Sequence, residues 1–189
     1  MSNSSQSKID EQIDRARERV IETISQNMHL YGVTPSIGRL YGILFFNEEP
    51  LTLDNMKEEL KMSKTSMSTS VRTLTDLNMV EKVWRKGERK DLYTAKKDWY
   101  DIFIHYFSNE WRKVVQINVS AINESLNELD SLLTNEDLLT DQQRDVISKD
   151  REKLLYSKEY YEWLTRLFDF FESDEIFKAV QRLDQEKKN

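Results

Sequence analysis

Thr52-Leu53-Asp54-Asn55-Met56-Lys57-Glu58-Glu59-Leu60, then Lys61-Met62, then Ser63-Lys64-Thr65-Ser66-Met67-Ser68-Thr69-Ser70-Val71-Arg72-Thr73-Leu74-Thr75-Asp76-Leu77, reads as a short helix, a tight turn and a second helix. Thr52 and Ser63 stand where N-capping hydroxyls belong. Leu53, Met56 and Leu60 face inward from the first helix, and Met67, Val71 and Leu74 form the buried stripe of the second. A strand, a turn carrying Trp84-Arg85-Lys86-Gly87-Glu88-Arg89-Lys90, and another strand follow over Val80–Tyr93. That order is a helix-turn-helix with a β-wing, a device that sets one helix in a DNA groove and a ribbon beside it.

The exposed face of the second helix is unusual in composition. Eight of the thirteen residues from Ser63 to Thr75 carry hydroxyls, although serine and threonine are mediocre helix formers. Short hydroxyls suit a helix that approaches a groove wall closely and bonds to phosphates and base edges. Ser63, Lys64, Thr65, Ser66, Ser68, Thr69 and Arg72 on this helix, with Arg85, Lys86, Arg89 and Lys90 on the wing, are the candidate DNA contacts.

Charge is distributed to match. Lys61 to Lys90 holds eight basic and three acidic residues, a local charge of 8 − 3 = +5, whereas the whole chain is −6 and the remainder therefore −11. A localised positive patch on an acidic body turns one face toward phosphate and keeps the others away. The alternative is an ordinary solvated helix and hairpin, or a winged-helix adaptor that binds only protein. The patch and the hydroxyl-rich helix speak against both.

Outward from this core the chain reads as helices. Four glycines, two prolines and 33% charged residues in 189 favour long helices over a sandwich or barrel. A first helix is expected from about Ser7 to Leu30, with Ile9, Ile13, Ala16, Val20, Ile24 and Met28 on one face and Gly32 at its left-handed stop. Thr34-Pro35 starts another, lined by Ile37, Leu40, Tyr41 and Leu44. After the wing, an amphipathic pattern runs from Asp98 to about Leu133, with Tyr100, Phe103, Phe107, Trp111 and Val114 recurring along it. A polar break over Thr134–Gln142 precedes a second long pattern from Val146 to Phe171, then a short tail helix over Asp174–Leu183 and a polar Gln185-Glu186-Lys187-Lys188-Asn189. The expected division is 1–33 for dimerisation, 34–97 for a winged helix-turn-helix, and 98–189 for dimerisation and effector binding. Surplus apolar faces on the long helices point to an intertwined homodimer, whose two-fold axis would require an inverted-repeat operator in double-stranded DNA.

Other classes find little support. With no cysteine there is neither a disulfide framework nor a thiolate metal site. His29 and His105 are isolated, and His105 sits in an aromatic stripe where packing is expected. No Gly-rich phosphate loop or metal-spaced cluster appears, so no enzyme, metal or cofactor is expected. No apolar run has the length of a membrane span and the N-terminus lacks a signal-peptide core, which points to a cytoplasmic protein without a membrane partner.

Aromatics concentrate in three groups that hold 18 of the chain's 20: Tyr31, Tyr41, Phe45 and Phe46; Tyr93, Trp99, Tyr100, Phe103, Tyr106, Phe107 and Trp111; and Tyr156, Tyr160, Tyr161, Trp163, Phe168, Phe170 and Phe171. Aromatics at helical spacing usually bury area in a core or dimer interface. So many Tyr and Trp beside Asp98, Asp101, Glu110, Glu159 and Glu162 also suit a cage for a methylated amine such as choline.

Asn27-Met28-His29-Leu30-Tyr31-Gly32-Val33-Thr34-Pro35-Ser36-Ile37-Gly38-Arg39-Leu40-Tyr41-Gly42 is similar to the opening of the GbsR-type branch of the MarR regulators. Leu51 to Leu60 with Met62 to Thr69 resembles the helix-turn-helix of that branch, Trp84-Arg85-Lys86-Gly87 with Arg89-Lys90-Asp91 its wing, and Lys158 to Leu164 its C-terminal helix. The resemblance covers roughly residues 20–120 and 155–178. It implies a mainly α, MarR-like fold: a winged helix-turn-helix with a long helical dimerisation region. It further implies a dimeric repressor that senses choline and controls genes for choline uptake and its oxidation to glycine betaine, an osmoprotectant. Relatives within the branch control compatible-solute transporters instead. In such folds the effector pocket lies between the DNA-binding lobe and the dimerisation helices. That location implicates Tyr41, Phe45, Trp99, Phe103 and Trp111, with Tyr160 and Trp163 joining if the C-terminal helix folds back.

Overall fold

A computed structural model describes residues 2–134 and 138–182. Helix α1 (Ser2–Asn27) runs into a 3-10 turn (Met28–Tyr31) that stops at Gly32, whose φ of 69° is the left-handed conformation expected there. Helix α2 (Pro35–Phe46) starts with Pro35 in its first turn. Strand β1 (Leu51–Thr52), helices α3 (Leu53–Leu60) and α4 (Lys64–Asp76), and strands β2 (Val80–Val83) and β3 (Leu92–Ala95) complete the winged portion. Helix α5 (Trp99–Leu133), helix α6 (Asp141–Glu172) and the short α7 (Glu175–Ala179) follow. The mainly α, winged helix-turn-helix class expected from the sequence is the one observed.

The chain divides into two compact units, residues 1–106 and 107–189, with the division inside α5. In the first unit Leu40, Tyr41 and Leu44 of α2 pack with Met56 of α3, Met67, Val71 and Leu74 of α4, and Met79, Val80 and Ala95 around the sheet. This core orients α4. Each buried Leu, Met and Val among these side chains contributes roughly 1.5–3 kcal/mol by leaving water. The sheet is antiparallel with order β1-β3-β2, and Val83 pairs with Leu92 at the base of the wing.

Helix α1 packs on α2 through its C-terminal half, where Ile24 and Met28 of the expected stripe meet the core beside Ile21 and Ser25. Ile21, Ser25 and Met28 are buried, whereas Ile9, Ile13 and Val20 remain exposed. Gly38 and Gly42 of α2 allow a close approach to Ile21 and Ser25. A Cβ on Gly38 would fall 2.9 Å from Ser25 Cα, and one on Gly42 would fall 3.2 Å from Ile21 Cα. The two glycines let the helices meet nearly backbone to backbone, and Ser25 Oγ donates to the Pro35 carbonyl at 2.7 Å.

The second unit is a helical hairpin. Arg112 on α5 bonds Asp169 Oδ1 at 2.7 Å and Glu172 Oε2 at 2.8 Å on α6, and Arg151 bonds Asp130 Oδ1 at 2.6 Å, a pairing that fixes the two helices as antiparallel. Ile122 and Leu126 of α5 and Ile147, Leu164 and Phe168 of α6 are buried. Thr140 and Gln143 form the capping box that starts α6, so this helix begins inside the expected polar break. The aromatic stripe of α5 is not a core in the single chain, since Tyr100, Phe103, Trp111 and Val114 are all exposed. His105, expected to be packed, is also exposed, because the inward face of α5 in this region runs through Ile102 and Ser108. The tail helix is shorter than expected. The stretch 183–189, which holds the expected end of that helix and the polar tail, lies outside the described residues.

Candidate nucleic-acid interface

Two local devices set the helix-turn-helix. Thr52 Oγ1 accepts from Asn55 N–H while Asn55 Oδ1 accepts from Thr52 N–H, a reciprocal box that starts α3. Lys61 then takes a left-handed turn at φ 53°, and Ser63 Oγ accepts from Ser66 N–H to start α4. With Met67, Val71 and Leu74 buried, the opposite face of α4 points outward. All eleven candidate DNA contacts, from Ser63 through Arg72 on α4 and Arg85 through Lys90 on the wing, are exposed.

The hydroxyls of α4 do not act alike. Thr69, Ser70, Thr73 and Thr75 donate to the carbonyls of Thr65, Ser66, Thr69 and Val71 respectively, at 2.9–3.1 Å. A phosphate oxygen only accepts, so hydroxyls whose protons are already committed cannot serve it without breaking these bonds. Ser63 and Ser66 bond each other at the cap. Thr65 and Ser68 keep uncommitted protons, and with Lys64 and Arg72 they form one row of donors along the helix. Sequence alone counts hydroxyls; the bonds to the preceding turn decide which remain available.

On the wing several cations are already paired. Lys90 Nζ lies 2.8 Å from Asp54 Oδ2, and Lys64 Nζ lies 3.9 Å from Asp54 Oδ1, so one carboxylate links α3, the start of α4 and the wing. These residues line a shallow cleft with Thr52, Leu53, Arg89 and Asp91. The hydrogen bond from Lys90, followed by the charges of Lys90 and Lys64, holds the Asp54 carboxyl below its ordinary range. Arg85 pairs with Glu49, whose hydrogen bond raises the guanidinium's affinity for its proton, and Lys82 pairs with Asp91 at 2.8 Å. Arg72, Lys86 and Arg89 make no ion pair among the described residues. Gly87 turns the tip at φ 89° with open space around it.

The aromatic candidates fall into separate sets. In the first unit Trp99 meets Tyr41 (ring centroids 5.8 Å apart) and Phe45 (5.4 Å) edge to face, and Phe103 is exposed one turn further along α5. Tyr41 is 2% exposed and its hydroxyl donates to the Lys96 carbonyl at 3.1 Å, so it serves the core as well. Burial raises its phenol pKa above the usual value. In the second unit Trp111 stacks on Phe168 at 6.3 Å, and Tyr160 stacks on Trp163 at 6.3 Å. Tyr31 and Tyr106, 4.9 Å apart, form a further pair near Gly32 that was not among the candidates. Only their nearby aromatic neighbours in sequence could have flagged it.

Among the described residues no group of His, Cys, Asp or Glu could hold a metal ion, and no helix is long and apolar enough to cross a membrane.

A family model described as GbsR family transcriptional regulator, C-terminal helical hairpin, matches residues 99–178, the region of α5 through α7. The HTH-type transcriptional repressor GbsR of Bacillus subtilis (strain 168) is 44% identical over 168 residues, spanning 89% of this chain and 92% of that protein. The HTH-type transcriptional repressor OpcR of the same organism is 41% identical over 170 residues, spanning 90% of this chain and 91% of that protein. The putative HTH-type transcriptional regulator YvaV, also from B. subtilis, is 42% identical over 170 residues, spanning 90% of this chain and 95% of that protein.

Proposed function

Because this chain belongs to the GbsR family of transcriptional regulators, DNA-binding proteins and not enzymes, we propose that it is a choline-responsive repressor of genes for choline uptake and glycine betaine synthesis. Two near full-length relatives are named repressors, which supports the sign of its action. The choline reading rests on one observation above the rest: Trp99, 45% exposed, stands edge-on to Tyr41 and Phe45, with Asp98 one residue before it and Asp101 two residues after it in the sequence. Aromatic faces beside carboxylates attract a quaternary ammonium, each ring adding up to about 2 kcal/mol when water is excluded.

The repressor works as a homodimer in this reading, binding an inverted repeat. The exposed Ile9, Ile13 and Val20 of α1 and Trp111, Val114 and Ile117 of α5 supply apolar surface for a second copy. Choline acts by binding one dimer arrangement more tightly than the other, which changes the spacing of the two α4 helices. It can shift that equilibrium only by its difference in affinity for the two states. The other effector candidates, Trp111, Tyr160 and Trp163, belong to the second unit, where Trp111 stacks on Phe168 and Tyr160 on Trp163.

Calorimetric titration of the purified dimer with choline tests the reading. Saturable binding that is lost in Trp99→Ala supports it, and no binding at millimolar choline ends it. The near-equal identities to GbsR, OpcR and YvaV, 44%, 41% and 42%, favour one second reading: control of compatible-solute transporter genes with another effector or none.

A further inference from the structure

Trp84 differs from the chain's three other tryptophans. Trp99, Trp111 and Trp163 are 38–50% exposed and each has an aromatic partner, whereas Trp84 is 82% exposed. It has no ring contact and no side-chain hydrogen bond among the described residues. A large apolar surface left in water on a folded protein calls for an occupant.

Its backbone is held in place on both sides. Val83 before it pairs with Leu92 in the sheet, and Arg85 after it is tied to Glu49. Lys82–Asp91 and Lys90–Asp54 clamp the same ribbon to itself and to α3. The backbone beneath the indole is thus held in place, and mainly the side chain's own torsions remain to be ordered on binding. The charge around it narrows the occupant. Of the five cations from Lys82 to Lys90, Lys82, Arg85 and Lys90 are paired with Asp91, Glu49 and Asp54, which leaves Lys86 and Arg89 without an ion pair among the described residues. An apolar ring framed by cations matches a surface that alternates phosphates with apolar sugar faces.

We propose that Trp84 is a further DNA-positioning residue, its indole lying against the deoxyribose wall of the minor groove while the neighbouring cations hold the flanking phosphates. This rests on the DNA-binding reading of α4 and the wing. A contact to sugar carries no sequence information and releases no counterions. It therefore changes affinity for every sequence alike and leaves the salt dependence untouched.

The full chain is titrated with two duplexes, one from upstream of its own gene and one random duplex of equal length, across a salt series. Trp84→Ala should weaken both by the same factor, roughly tenfold for the apolar surface it covers, with the slope of log K against log salt unchanged and Trp84→Phe recovering most of the loss. Lys86→Ala should instead lower the slope by about 1. Circular dichroism and melting should be unchanged in all three, because these side chains are exposed. Parent-like binding by Trp84→Ala beside a weakened Lys86→Ala overturns the proposal but keeps the wing on DNA. A loss confined to the upstream duplex, or one that comes with a changed slope, also overturns it. If Trp84→Ala, Lys86→Ala and Arg72→Ala all bind as the parent does, the DNA reading of this face falls too.

Discussion

Lys90 Nζ stands 2.8 Å from Asp54 Oδ2, so the end of the wing is fastened to the first turn of α3. The same carboxylate reaches Lys64 at 3.9 Å, at the start of α4. One acid thus links the wing to the helix proposed to face DNA, and it shares two of the cations that a phosphate would attract.

The Asp54 carboxyl should titrate below the ordinary carboxylate range, and Lys90→Gln should move it back up by removing its largest stabilising partner. Side-chain carboxyl NMR reads this directly. The fold favours the ionised acid, so whatever stability the pair contributes is complete above the ordinary carboxylate pKa. It fades as the pH falls through the lowered folded value. Melting at neutral pH should hardly change, since both partners are exposed. An Asp54 titration unmoved by Lys90→Gln would contradict the latch.

Arg72 lies in the donor row of α4 and has no ion pair among the described residues. Arg72→Ala should cost about 1–3 kcal/mol in operator binding while leaving helicity and dimer mass unchanged. Equal affinity in a folded variant would remove α4 from the interface.

Gly38→Ala tests the helix contact that carries α1. The added carbon would meet Ser25 Cα at 2.9 Å as well as the Met28 side chain, and backbone cannot step aside cheaply. A loss of about 1–3 kcal/mol is expected from overpacking, read by thermal or urea unfolding. A variant as stable as the parent would mean that α1 and α2 sit farther apart.

Trp99→Ala should blunt the response to choline and spare DNA binding, because its ring meets Tyr41 and Phe45 of α2, neither of which is among the candidate DNA contacts. A variant still released by choline at parent concentrations would return Trp99 to the core. The cage would then have to be sought around Trp111 or Tyr160 and Trp163.

Much of this was legible in the residues. Thr52 and Ser63 announced both caps, Gly32 the left-handed stop, and Met67, Val71 and Leu74 the buried side of α4. Strand β1 was not legible, because two residues carry no periodicity and Thr52 serves both as strand partner and as cap. On α1 the sequence marked Ile24 and Met28, which meet the core, but not Ile21 and Ser25, which are buried beside them. The helix's own apolar stripe ran through Ile9, Ile13 and Val20, while the decisive feature was the glycine pair at 38 and 42 on another helix. Amphipathicity likewise marked the apolar face of α5 without saying which molecule covers it. The hydroxyls of α4 could be counted from sequence, but the carbonyls they serve appear only once the helix is built.

The most direct test of the central claim is equilibrium binding of the purified protein to the DNA upstream of its own gene, at several salt concentrations, with and without millimolar choline. The account predicts specific, salt-sensitive binding that choline releases. Specific binding indifferent to choline would contradict the sensor and leave a regulator with a different effector or none.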